Sequence, residues 1–124
     1  MTSKMQSDRK ALIVEDDKRF TEFVSAYLTA ASYSPTTVHT LEAATSYSER
    51  FDIYVSDGSF PLREGMQPDR DAGMRFYGHV TEHHPNSRFV FYSSNDDLET
   101  LCQKQGIDFV RKDDPGKLRK YLEI

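Results

Sequence analysis

Four short apolar runs, each closing on a polar or charged group, constrain this chain more than any other feature. Ala11-Leu12-Ile13-Val14 closes on Glu15-Asp16-Asp17, Ile53-Tyr54-Val55-Ser56 on Asp57, Phe89-Val90-Phe91-Tyr92 on Ser93-Ser94, and Phe109-Val110-Arg111 on Lys112. If the runs are neighbouring parallel strands, all of these polar groups emerge at the same carboxyl edge of one sheet. Open α/β sheets place their ligand sites at that edge.

Helical periodicity supplies the connections that parallel strands need. Phe20, Phe23, Val24, Tyr27 and Leu28 recur at helical spacing and predict an amphipathic first helix ending near Ala31-Ser32. A weak strand is expected at Thr36-Thr37-Val38-His39, with a poorly patterned helix from about Leu41. Met74, Tyr77 and Val80 give a further helical face, which Pro85 ends at about His84 because the residue before proline avoids helical geometry. Leu98, Leu101 and Cys102 mark a fourth helix stopping at Gly106, and Leu118, Tyr121 and Leu122 a fifth beginning after Pro115. The alternation predicts an α/β fold, a doubly wound sheet of five strands and five helices. No internal repeat, linker or low-complexity segment interrupts it.

A chain of 124 residues suits one domain that buries its own core, spanning residues 10–124 behind a frayed tail over residues 1–9. Sixteen basic against twenty acidic residues leave a formal net charge of -4, which argues against direct nucleic-acid binding. The single cysteine, Cys102, has no internal disulfide partner, so a reducing, cytoplasmic setting is expected. No apolar run approaches the roughly 18 residues of a membrane span, and the polar first nine residues lack the apolar centre of a signal peptide.

The chemistry that such a sheet edge assembles is a set of carboxylates with one lysine and one hydroxyl. Oxygen ligands suit magnesium, which takes one or two protein carboxylates and fills its octahedron with water and phosphate oxygens. Asp57 is then a candidate nucleophile, since carboxylates form aspartyl-phosphate intermediates. Lys112 supplies a point charge for a phosphate. Each motif alone has a plainer reading: a helix start for Glu15-Asp16-Asp17, an Asp-Gly turn for Asp57, a surface pair for Lys112 with Asp113 or Asp114, and helix caps for Ser93 and Ser94. Their joint order at strand ends favours the site. The histidines His39, His79, His83 and His84 show no ligand spacing that converges with Cys102, and His83 and His84 suit a helix C-terminus.

With these motifs in this order, the chain resembles the receiver domain of two-component response regulators, from about Lys10 to Leu122. The resemblance implies the flavodoxin-like strand order 2-1-3-4-5 and a Mg2+ cofactor. It maps the magnesium-binding acids onto Glu15 and Asp16, the phosphoacceptor onto Asp57, and the metal-binding backbone carbonyl onto Ser59. It likewise maps the switch hydroxyl onto Ser93, the site lysine onto Lys112 and the switch aromatic onto Phe109. It further implies a sensor histidine kinase or histidine phosphotransfer protein as phosphodonor, and an output protein or effector domain as partner. The only reactions expected are magnesium-dependent self-phosphorylation and autodephosphorylation. The alternative is a receiver-like interaction module that is not phosphorylated.

Two segments depart from the family pattern. Leu62 to Arg70 lie between Pro61 and Asp71-Ala72-Gly73, an insertion beside the site that is either a tolerated surface loop or a lid in which Arg63 or Arg70 approaches a phosphoryl group. Asp113, in place of proline, follows Lys112 and argues against a cis bond there. Other classes fit less well. An aspartyl phosphatase wants a second acid where Ser59 stands, and a flavin carrier wants a glycine- and hydroxyl-rich loop where three acids stand.

Overall fold

The computed structural model describes residues 9–124, so that the expected tail lies, apart from Arg9, outside the described residues. In chain order the elements are β1 (Lys10–Val14), α1 (Lys18–Ala30), β2 (Ser34–Val38), α2 (Leu41–Thr45), β3 (Ile53–Ser56), β4 (Phe60–Pro61), β5 (Pro68–Asp69), α3 (Ala72–His83), β6 (Arg88–Ser93), α4 (Asp96–Gln105), β7 (Asp108–Arg111) and α5 (Pro115–Leu122). Five strands pair in parallel in the order β2-β1-β3-β6-β7, and β4 with β5 forms a separate two-stranded antiparallel ribbon. Counted within the main sheet alone, that order is 2-1-3-4-5, as the resemblance implies.

The apolar runs become strands because both of their faces are covered. Along β1, Leu12 and Val14 join one core with residues of α2, α3 and α4. Ala11 and Ile13 join the other with Val24 and Leu28 of α1 and Leu118 and Leu122 of α5. Phe76 and Phe91 fill the first core and Tyr92 the second, all at most 1% exposed.

Local signals end the helices where their chemistry dictates. The Asp17 carboxylate caps α1 by accepting from the Arg19 N–H, Thr40 caps α2 and Asn95 caps α4. Gly106 closes α4 in the left-handed region at φ 72°. Two boundaries differ from the expectation. The second strand starts at Ser34 rather than Thr36 and carries Pro35 inside it. It tolerates the proline because β2 is an edge strand that pairs only with β1. The helix expected near Leu41 is only five residues long.

Candidate functional site

Sheet geometry brings the predicted residues to one edge through backbone bonds that extend the strand ladders by one residue. The N–H of Glu15 donates to the Val38 carbonyl at 3.1 Å, that of Asp57 to Val14 at 2.9 Å, and that of Lys112 to Ser93 at 3.0 Å. Each of these three residues is therefore anchored just past its own strand, with its side chain in the crevice between β1 and β3 where the strand order reverses.

Within that crevice Lys112 Nζ lies 2.8 Å from Glu15 Oε1 and 3.1 Å from Asp57 Oδ2. The side chains are 4% exposed for Glu15, 14% for Asp57 and 11% for Lys112, so the contacts are shielded from bulk water. Asp16 is exposed at the rim, and one carboxylate oxygen from each of Glu15, Asp16 and Asp57 falls within 4.8 Å of the others. The Gly58 N–H donates to Asp57 Oδ1 at 2.7 Å, and the Asp17 N–H donates to Glu15 Oε2 at 3.1 Å. Lys112 Nζ also stands 4.3 Å over the ring of Phe20, whose electron-rich face attracts the ammonium.

The charge balance of this cluster is negative. Burial, and then the charge of Asp57, push the Glu15 carboxyl up to about 7, against the opposing pull of Lys112. Burial works against the charge on Lys112, but Asp57 and Glu15 outweigh it and its pKa is raised. Three carboxylates around one ammonium leave excess negative charge on oxygen donors alone. That donor set fits a hard divalent cation such as magnesium, with Glu15, Asp16 and Asp57 as its protein ligands.

The remaining predicted residues fall into two groups. Ser93 is buried at the end of β6, where its hydroxyl accepts from the Asn95 N–H at 3.1 Å. A Cβ placed on Gly58 would come 3.6 Å from that hydroxyl, which puts Ser93 beside the Asp57-Gly58 peptide. Ser59 sits in the short link between Asp57 and β4. Phe109 lies one strand further out, opposite Phe91 in β7, half-buried against the first core. Neither arginine of the insertion has a contact with Asp57. Arg63 lines a cavity of about 270 Å³ with Leu41, Glu42 and Arg75, and Arg70 lines one of about 150 Å³ with Asn95 and Leu98. The insertion supplies β5, which pairs with β4 as the antiparallel ribbon, and its first residue docks on α2, where the Glu42 N–H donates to the Leu62 carbonyl at 2.9 Å.

Three further residues shape the surroundings of the site, and of these only Asp17, within a helix start, had that role in the sequence reading. Asp17 faces away from the cluster as the cap of α1, and its partner Arg19 holds its carboxyl down at about 2. Gly73, on α3, donates its N–H to the Gly58 carbonyl at 3.0 Å. A Cβ there would lie 2.7 Å from Gly58 Cα and 2.8 Å from the Asp57 carbonyl, so only glycine lets α3 seat against the Asp57 turn. Arg111 ties β7 to α4 through Asp96 and Glu99, both at 2.7 Å, and reaches Asp113 at 3.3 Å. An arginine after two apolar residues is the only sequence signal for this tie; the acidic partners Asp96 and Glu99 become neighbours only when α4 packs.

No family model matches the sequence, and no curated protein matches it either. Solved structures do match it. The response regulator TrrA of Thermotoga maritima, in complex with magnesium and beryllofluoride, is 17% identical with a TM-score of 0.69, covering 92% of this chain and 98% of its own. The receiver domain of a Pseudomonas aeruginosa sensor histidine kinase, with magnesium coordinated in its active-site cleft, is 19% identical with a TM-score of 0.69 over 93% of this chain and 94% of its own. A sensor protein from Polaromonas is 18% identical with a TM-score of 0.71 over 94% of each chain. None of the described helices is long and apolar enough to cross a membrane. With its five-stranded parallel sheet in this order and its flanking helices, the chain has the fold of the response regulator receiver domains.

Proposed function

We propose that the chain is a phosphoacceptor: Asp57 takes a phosphoryl group from the phosphohistidine of a sensor kinase or phosphotransfer protein, and the modified domain docks differently on an output protein. The observation that carries this reading is the joint placement of Asp57, Glu15, Asp16 and Lys112 in one shielded crevice. Glu15, Asp16 and Asp57, together with the Ser59 carbonyl, would hold a magnesium ion, and that ion would supply charge neutralisation for the incoming phosphoryl oxygens.

The protein's own part is positioning. Asp57 Oδ2, the oxygen that the Gly58 N–H does not hold, attacks phosphorus in line, an O–P bond forms, the donor's N–P bond breaks, and the donor imidazole keeps the electron pair and regains a proton from solvent. The Gly58 N–H fixes one Asp57 oxygen, so that the carboxylate presents a defined edge. Lys112, already within 3.1 Å of Asp57, moves its contact onto the transferred group as the charge there grows. Ser93, beside Gly58, offers a hydroxyl to another phosphoryl oxygen. Phe109 would respond from the neighbouring strand, and the α4–β7–α5 surface with it, provided the phosphoryl group binds the two arrangements unequally. No separate substrate is turned over.

The test is intact-mass measurement of the purified chain, and of Asp57→Asn, after incubation with magnesium and a small-molecule phosphodonor. The parent should gain one phosphoryl group and the variant none. Absence of gain in both, with no binding of a phosphate mimic, would favour the docking module that is not phosphorylated.

A further inference from the structure

The last turns of α3 read His79-Val80-Thr81-Glu82-His83, and His84 follows as the C-cap. His79 and His83 stand four residues apart and so share one helix face. Their ring centroids are 4.4 Å apart with the planes inclined by 33°. The ring of His83 is fixed, because its Nδ1 donates to the His79 carbonyl at 2.9 Å. That bond leaves Nε2 as the nitrogen with the free lone pair. His79 is half-buried and lies parallel to Phe76, centroids 6.4 Å apart and planes 16° apart, which limits its swing. Both imidazoles, with His84, line an open cavity of about 420 Å³ whose far wall is the Thr45–Ser48 segment.

Two imidazoles one turn apart on a helix, with a carboxylate between them in sequence, is the spacing by which zinc-binding helices hold their ion. We propose that His79 and His83 bind a borderline divalent cation of the zinc class, with water in the adjoining cavity completing its coordination. Among the described residues the only cluster of three metal-ligating side chains is the acidic one, so this second site rests on two protein ligands and keeps open positions. The two sites select by donor chemistry, since imidazole suits zinc or copper and carboxylate suits magnesium. They are also apart. Gly73 seats the start of α3 on the Asp57 turn, and ten residues of helix carry His83 about 15 Å along the axis from there.

Zinc titration by calorimetry tests the site, using the chain free of any histidine tag and a large excess of magnesium to occupy the carboxylates. The expected result is one zinc per chain, weakened on the order of tenfold or more by His79→Gln or His83→Gln and abolished by the double substitution. Circular dichroism of the variants should match the parent. A second reading that needs no variant is the nitrogen coupling of bound copper in the parent's electron spin resonance spectrum, where two imidazole nitrogens are expected. Absence of zinc uptake by the parent, uptake unchanged in the double variant, or a copper spectrum with oxygen ligands alone would overturn the proposal.

Discussion

At the scale of single residues, the candidate site is held in an electrostatic compromise. Glu15 is buried beside Asp57, and its carboxyl is pushed up to about 7 from an ordinary value near 4.5. A raised acid pKa means that the folded state binds the proton more tightly than the unfolded chain does. Its stabilising contribution is therefore fully present below about pH 4.5 and is lost as the pH rises through about 7. In magnesium-free buffer the parent should lose stability across that window, by an amount on the order of 3 kcal/mol. Glu15→Gln, which carries no titrating proton, should flatten the decline; urea midpoints measured at pH 5 and pH 8 for both proteins check it. An equal decline in the variant would assign the pH dependence elsewhere. That Glu15, Asp57 and Lys112 would come together at one sheet edge was legible in the sequence because each stands at the end of a short, mostly apolar run. The contact of Phe20 with Lys112 and the tie of Arg111 to Asp96 and Glu99 were not, because they join residues distant in sequence whose approach no local pattern encodes.

At the scale of elements, α3 is positioned by the absence of a side chain. Gly73→Ala would put a methyl group within 2.8 Å of the Asp57 and Gly58 backbone, and backbone cannot yield as a flexible side chain can. The expected cost is about 1–3 kcal/mol and, with Asp57 as the phosphoacceptor proposed above, slower phosphoryl uptake as its turn shifts. Gly78, on the same helix, has nothing within 4 Å of its Cβ position, so Gly78→Ala should stabilise by about 0.5–1 kcal/mol. Denaturation midpoints of the two variants should move in opposite directions; movement in the same direction would refute the seating argument. Nothing local in the sequence marks Gly73 as tightly packed and Gly78 as open, since the difference lies in what each one's helix face meets. Element types read well where pattern was strong, as in α1, α4 and the central strands. They read less sharply at β2, where Pro35 disguised the start of an edge strand, and at α2, whose start at Leu41 was expected but whose five residues carry too little periodicity to fix its length. The insertion is a third case: its length was visible, but its folding into a ribbon docked on α2 depends on pairing Phe60 with Asp69 and on the Leu62 carbonyl meeting Glu42.

At the scale of the whole molecule, the fold and the cluster are thermodynamically linked. A cation that binds the folded cluster and not the unfolded chain stabilises by RT ln(1 + [L]/Kd), about 2.7 kcal/mol at a hundredfold excess over Kd. The thermal midpoint should therefore climb with magnesium concentration in the parent and hardly at all in Asp57→Asn; a flat response in the parent would count against magnesium as the ligand. The sequence by itself determined the class of this fold, the chain order of the five main-sheet strands and five helices, and the sheet edge at which the charged groups emerge. It did so because strands covered on both faces must be apolar throughout, while the residue just past each strand is free to be polar. Only the tertiary structure decided which of those groups touch, that Asp17 caps a helix while Asp16 joins the cluster, that Gly73 has no room for a side chain while Gly78 does, and that the inserted segment pairs as a ribbon against α2. Those outcomes depend on distances of a few ångströms between elements far apart in the chain, and such distances are set by how two cores pack on one twisted sheet.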